Sequence, residues 1–582
     1  MVVYFDIETN KIEDWTRLSD LKSIHCFCVA VDDADPMMVD LGVGCELLKS
    51  AKSIVGHNII SFDLPAIAKI TGFHAEFTAE VVDTLVLARL LKTNIREEDV
   101  AAGLSSDLVG SHSLKAWGAR LGMQKLDAPV FDSYSLSLEE YCKQDVKIVR
   151  ALKDKLYSLN TMSDRALKIE MEFAKIIRKQ EEAGFCFDSR GAELLHATLR
   201  KEMVDIEADM KSLFPPKTID RTSAKTGRAL KQKIQEFNPA SRVQIAERLI
   251  EKYGWKPTEF TPDGRVKIDE SILSELSFPE GQILSRYLTA QKRLGQLAEG
   301  DEAWLKLCVN GRIHGRVNTN GAITGRCTHS NPNLAQVPSD AEYRSLFLPE
   351  PGYRLVGVDA SGLELRCLAH YLGKYDGGDY AGQLVNGDIH WTNAIAFGLT
   401  NEEQDKSNPE HKKIRDKSKG AIYALIYGAG DNKLGDVLGN PRGGREARNS
   451  FENRVPAFAV LKKNLTRILN SYGYLKGLDG RPLYPRSPHA ALNTLLQSAG
   501  AVIMKQACII LWERLNALKI GGVLVNQVAS IHDEYQFSVH PAYAEDVGKM
   551  AVSSIQATSG ALSIRCPLDG AYRVGSNWSE TH

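Results

Sequence analysis

The sequence predicts an α/β domain followed by a larger α+β region with an inserted helical block. Three observations carry this reading: alternating β-rich segments crowd the first 60 residues, Lys-, Glu-, Leu- and Ala-rich runs with helical spacing fill the middle, and β-like runs frame a second helical stretch. VVYFDIE and IHCFCVAV read as strands, and SIVGHNIISFDLPAI as strand, turn and helix start. The amphipathic LSLEEYCKQDVKIVRALKDKL closes that unit, which puts the first boundary near residue 160. Residues 163–306 read as a helical arm, interrupted at LFPPKTIDRTSAKTGR, where two prolines and small polar residues mark a loop at a basic tip. YRLVGVDASG and QVASIHDEYQFSVH then flank a helical block from about 368 to 492, as in a sheet interrupted by an insertion.

Composition narrows the class. A chain of 582 residues has room for roughly three to five domains. Its 43% hydrophobic and 25% charged residues exclude extended disorder, collagen-like repeats and a disulfide scaffold. No uninterrupted apolar run approaches the roughly 18 to 20 residues that cross a bilayer, and MVVYFDIETN has no signal-peptide pattern, so a cytosolic location is expected. Ten cysteines without a CxxC pair argue against a zinc ribbon or redox motif and are expected to be reduced and buried. Residues 1–150 hold 15 Lys and Arg against 23 Asp and Glu, leaving the remainder net basic. An acidic, metal-binding front and a basic, phosphate-facing remainder suit this division, although solvated surface gives the same balance.

Side chains two apart on a strand share a face, so Asp6 and Glu8 project together while Phe5 and Ile7 point inward. Paired carboxylates repel unless a cation lies between them, and hard divalent ions take such oxygen ligands. Asn58 and Asp63 stand at a turn into a helix, and Tyr141 and Asp145 at i and i+4 share one helix face. Four acids and a phenol can thus converge, a set suited to two metals that activate water on a phosphodiester. Each piece alone is equally a helix cap or a solvated acid.

A second acid set follows. Asp359 ends an apolar strand, and Asp533 and Glu534 interrupt an alternating one. Between them Arg415, Lys419, Tyr423 and Tyr427 recur every four residues and form one drifting helical stripe. Two cations followed by two rings suit a nucleoside triphosphate, although taken alone this helix reads more readily as a basic surface running into core aromatics.

In their order, DIE, NIISFD and YCKQD resemble the three motifs of the DEDDy 3′–5′ exonucleases, and SHSLKAWGARLG is similar to the same domain. TGR (324–326), PNLAQVP (332–338), VDASGLELR, RDKSKGAIYALIYG and HDE resemble the family A DNA polymerases, most closely the replicative branch of short-tailed bacteriophages. The resemblance runs from the first motif to the NW near the end. It implies an RNase H-like exonuclease domain over 1–160, followed by a right hand: thumb over 161–306, palm over 307–367 and 493–582, and fingers over 368–492.

The resemblance also implies roles. Asp6, Glu8, Asp63 and Asp145 bind metal in the exonuclease, and Tyr141 orients the attacking water. Asp359, Asp533 and the carbonyl of Ala360 bind two Mg2+ ions, for which Mn2+ can substitute, with Glu534 in support. His390, Arg415 and Lys419 hold the triphosphate, and Tyr423 and Tyr427 pack at the nascent pair and template. Glu364 closes the space beside C2′, which selects dNTPs, and Tyr423 implies easy acceptance of dideoxynucleotides. Arg326, Gln336, Asn493 and Gln497 read primer-template DNA through sugar and minor-groove contacts, and His532 meets the primer terminus.

The expected activity is template-directed DNA synthesis with an intact proofreading exonuclease, by a monomer in the cytoplasm of a bacterial host. A replicative helicase-primase and a single-strand-binding protein are the implied partners. No 5′ nuclease domain is expected, and the stretch between Leu213 and FNPASR is too short for a thioredoxin-docking insertion, so that partner is not expected either. The alternative is a 3′–5′ repair nuclease whose larger part only binds DNA. His582 receives no role.

Overall fold

The computed structural model describes residues 1–13, 16–74, 79–159, 161–222 and 228–582. The chain divides into two compact units, one formed by Met1–Phe185, His314–Val337 and Pro349–His582, the other by Cys186–Ile313 and Pro338–Leu348.

The first unit opens with a five-stranded sheet in the order Met37–Met38, Ile24–Val31, Val2–Thr9, Ser53–Gly56, Glu80–Asp83. Val2–Thr9 lies at the centre, antiparallel to Ile24–Val31 and parallel to Ser53–Gly56. Its alternation buries Val3, Phe5 and Ile7 and leaves Asp6 and Glu8 together on the other face. The helix Leu136–Tyr157 packs on the two antiparallel strands. Ser135 caps it by accepting a hydrogen bond from the Leu138 amide, and its buried stripe holds Leu138, Tyr141, Cys142 and Asp145.

A second, fully antiparallel sheet runs Val525–Ile531, Glu534–Val539, Arg354–Ala360, Gly570–Gly575. Helices Ala491–Ala517 and Ala544–Ala561 back it, and helices from Asp379–Asn386 to Pro456–Tyr472 complete the same hydrophobic core. Ala491–Ala517 is long and apolar enough to cross a membrane, yet 83% of its most apolar window is buried inside the unit, where it serves as a core axis. The helix Asp164–Ala183 falls within the expected thumb span but packs on Thr84–Leu91 and on Ala491–Ala517, both in the first unit.

The second unit contains the long helices Ser189–Leu213, Arg242–Tyr253 and Pro279–Leu294. Glu280 accepts hydrogen bonds from Lys252 (2.7 Å) and Tyr253, which ties two of them together. The expected loop at LFPPKTIDRTSAKTGR is instead partly an antiparallel hairpin of Lys217–Thr222 and Ala229–Gln235. Pro215 and Pro216 stop the preceding helix as predicted, but the Thr- and Ile-bearing alternation after them favours strand. The tip of that expected loop, 223–227, lies outside the described residues. All ten cysteines are free thiols; Cys45, Cys186, Cys308 and Cys327 are only partly buried, which corrects the expectation of ten buried thiols.

Candidate functional site

Two acidic centres occur in the first unit. In the first, Asp6 and Glu8 on the central strand lie with Cys142 such that their ligand atoms fall within 4.8 Å of one another. Asp63 begins the helix Asp63–Thr71 and accepts a hydrogen bond from the Ile7 amide (3.2 Å), which holds it against that strand. Asp145 arrives from the helix Leu136–Tyr157, one turn after Tyr141. Asn58 takes the left-handed φ of +65° in the intervening turn, and its amide donates to Asp83 (2.9 Å). The five predicted exonuclease residues are therefore brought to one place.

Their electrostatics are severe. Burial, then the charge of Asp145, pushes the Asp6 carboxyl up to about 7. Burial, followed by Asp6 and Asp145, pushes Glu8 up to about 10. Burial and Asp6 hold Asp63 well above the carboxylate range, and burial raises Asp145. Such a group ionises fully only beside positive charge. Lys125 supplies one such charge: its ammonium pairs with Asp145 and lies 4.4 Å from the centre of the Tyr141 ring. Sequence reasoning missed Lys125, which sits in a loop with no periodicity to single it out.

The second centre is built on the antiparallel sheet. Asp359 lies opposite Glu534 in the register, and the Ala360 amide donates to the carbonyl of Asp533 (3.1 Å) in the turn that joins Val525–Ile531 to Glu534–Val539. That turn holds His532 at φ +55°, a conformation that costs a side-chain-bearing residue about 1 to 2 kcal/mol. The turn brings Asp533 close enough for its charge to act on Asp359. Burial, then the charges of Asp533 and Glu534, raises Asp359 to about 6. Burial, then Arg326, lowers the His532 imidazole.

Glu364, in the first turn of Leu363–Leu372, accepts a hydrogen bond from the Tyr427 hydroxyl (3.0 Å). Tyr427 is the C-cap of Pro409–Ile426, just past the helical stripe, and its ring stacks on Tyr423 at 6.5 Å. Tyr423 lies 6.5 Å from the His390 ring. Arg415 donates through Nε to Asp388 (2.6 Å), which also caps the helix Ile389–Ala396 by accepting from the His390 amide (3.1 Å). Burial would raise Asp388, but the hydrogen bonds from Arg415 and Gln404 outweigh it and hold the carboxyl at about 2. Lys419 is exposed one turn beyond Arg415. Gln336 ends the short turn Leu334–Gln336, and Asn493 and Gln497 lie one turn apart on Ala491–Ala517. Asp388 was missed as a site residue; its Asp-x-His capping pattern was the available signal.

Residues 216–580 match the family model for DNA polymerase family A. The chain belongs to that family. It is 33% identical to the DNA-directed DNA polymerase of Enterobacteria phage T3, with 92% of this chain and 93% of that protein covered. It is 31% identical to the DNA-directed DNA polymerase of Escherichia phage T7, with both chains covered completely. These relatives mark it as a phage-type DNA-directed DNA polymerase. Among solved structures it is similar to the POL domain of Pol1 from M. smegmatis, at a TM-score of 0.78 and 18% identity, covering 100% of this chain and 96% of that one. The expected mixed α/β and α+β organisation with a family A polymerase domain is the one observed.

Proposed function

We propose that the chain extends a primer at Asp359 and Asp533 by two-metal phosphoryl transfer and proofreads with a 3′–5′ exonuclease at Asp6, Glu8, Asp63 and Asp145. The observation that carries this reading is the pair of separate acidic centres, one of them close enough to Tyr423 for Asp533 to act on its hydroxyl. Both donor sets fit hard divalent cations, since they consist of oxygen ligands with carboxyls raised by burial and mutual repulsion. Mg2+, replaceable by Mn2+, would be held by Asp359, Asp533 and the Ala360 carbonyl, and by the four exonuclease acids; when bound it acidifies the attacking oxygen and neutralises developing charge.

The chain's own groups do the rest. Arg415, Lys419 and His390 take the triphosphate, with Asp388 fixing Arg415 through Nε, which leaves the terminal nitrogens for phosphate. Tyr423 and Tyr427 present flat faces to the nascent pair and template, and Glu364, braced by Tyr427, closes the sugar pocket against a 2′-hydroxyl. Arg326, Gln336, Asn493, Gln497 and His532 contact primer-template DNA. Tyr141 orients water in the exonuclease. The spans 161–306 as thumb, 307–367 and 493–582 as palm, and 368–492 as fingers belong to the same reading. So do a monomer working in the host cytoplasm with a helicase-primase and a single-strand-binding protein, and independence of thioredoxin.

The test is a labelled primer-template with Mg2+, with and without dNTPs. Asp359→Ala should lose extension only, and Asp6→Ala with Glu8→Ala should lose shortening only. A wild type that shortens the primer under every dNTP supply would leave the repair-nuclease alternative standing.

A further inference from the structure

Glu534 was expected to act beside the polymerase acids, but its carboxylate is already engaged. Oε1 accepts from Trp578 Nε1 (2.6 Å) and Gln536 Nε2 (2.6 Å), and Oε2 accepts from His582 Nδ1 (2.8 Å). The residue is 6% exposed. Three donors on a buried carboxylate leave little lone-pair capacity for a cation.

Two of those donors come from one segment, 577–582. Asn577 caps its short turn by accepting from the Ser579 amide (3.0 Å), and Trp578 is buried with its ring 5.7 Å from Phe185. Thr581 donates to Gln536 Oε1 (2.8 Å), which orients the amide that serves Glu534. Arg573 donates to the His582 carbonyl (2.6 Å) and so anchors the segment to the adjacent strand. The strand carrying Asp359 is shaped for it: a Cβ on Gly357 would come within 2.2 Å of the Thr581 carbonyl. The segment therefore lies across Arg354–Ala360 and grips the first residue after Asp533.

We propose that 577–582 is a latch of the polymerase centre, in which Trp578 and His582 are positioning residues that act through Glu534. Glu534 is accordingly a positioning residue and not a ligand. Held at both oxygens, and opposite Asp359 in the register, it keeps the His532–Asp533 turn at the geometry in which the two aspartates face one another. Residues that orient ligands from behind cost roughly 10- to 100-fold in metal affinity or activity when removed. The inference rests on the polymerase reading of Asp359 and Asp533.

The experiment compares His582→Ala, His582→Asn and Trp578→Phe with wild type and Asp359→Ala. His582→Asn keeps a donor near the Nδ1 position, and Trp578→Phe keeps a ring while removing the N–H. Expected are a roughly 10- to 100-fold fall in kcat for extension by His582→Ala and Trp578→Phe, with KM for dNTP within about three-fold. Restoration to at least half of wild type is expected for His582→Asn. In a background with Asp6→Ala and Glu8→Ala, Mn2+ affinity followed by the paramagnetic resonance of free Mn2+ should weaken about ten-fold on adding His582→Ala. Exonuclease activity should stay at wild-type values in the single variants, and the melting temperature should do so in His582→Ala, where water replaces the lost donor on a half-exposed side chain.

The latch is overturned if His582→Ala stays within two-fold of wild type in both kcat and Mn2+ affinity. It is also overturned if exonuclease activity and melting temperature fall in step with extension, or if His582→Asn fails to rescue. If Trp578→Phe does not fold, His582→Ala, on a half-exposed side chain, decides alone. Extension retained by Asp359→Ala would instead refute the polymerase reading itself.

Discussion

Glu170 is fully buried and accepts hydrogen bonds from Arg481 Nη2 and Lys505 Nζ, both at 2.6 Å. Arg481 also pairs with Asp479 (2.7 Å), so two acids and two bases balance in the core where Asp164–Ala183 meets Ala491–Ala517. Glu170→Gln deletes one negative charge and leaves a net positive charge with nowhere to be solvated. Breaking such a buried pair costs about 3 to 5 kcal/mol. In a cooperative unit of roughly 440 residues this lowers the melting temperature by about 3 to 5 °C. The loss depends on pH with a definite sign. Burial already holds Lys505 below its ordinary 10.5, and the charge of Glu170 opposes that fall. Without Glu170 the folded variant releases the Lys505 proton at lower pH than the unfolded chain does. The deficit is therefore widest near neutrality and narrows as pH rises toward 10.5. Calorimetry of Glu170→Gln, Lys505→Met and the double variant checks this, because the double variant restores neutrality and should recover at least half of the loss. Additive losses, or a single-variant shift under about 0.5 °C, would refute the charge-balance argument.

Asp388→Asn should raise KM for dNTP about five-fold, since Arg415 loses the partner that fixes it, while stability changes by less than about 1 kcal/mol because Arg415 is partly exposed; steady-state extension and calorimetry measure both. Lys125→Met removes the cation that lowers Asp6 and Glu8, so their carboxyls rise further and the acidic limb of the exonuclease pH profile moves upward, with extension untouched. An unmoved limb would show that Lys125 does not act on those acids. His532→Gly relieves the +55° φ and should leave the melting temperature equal to wild type or higher, by up to about 1 kcal/mol in stability, while extension from a matched primer falls. A drop in stability would mean that the His532 side chain holds the turn.

Local pattern was enough for the elements that carry chemistry. The two-residue period of VVYFDIE put Asp6 and Glu8 on one face, the four-residue step put Tyr141 and Asp145 on one helix stripe, and the ordered motifs identified the family. These features depend on spacing within one strand or helix, which any reader of the chain can count. Alternation was also present in the hairpin Lys217–Thr222 with Ala229–Gln235, but neighbouring prolines and small polar residues masked it. What tertiary structure alone decided is which distant residues complete each centre. Lys125 meets Asp145 across 20 residues, His582 meets Glu534 across 48, and Lys505 meets Glu170 across 335. A buried charge takes whichever opposite charge the packed backbone brings within hydrogen-bond reach, and that proximity comes from the assembled sheet and helices, with no period along the chain to announce it.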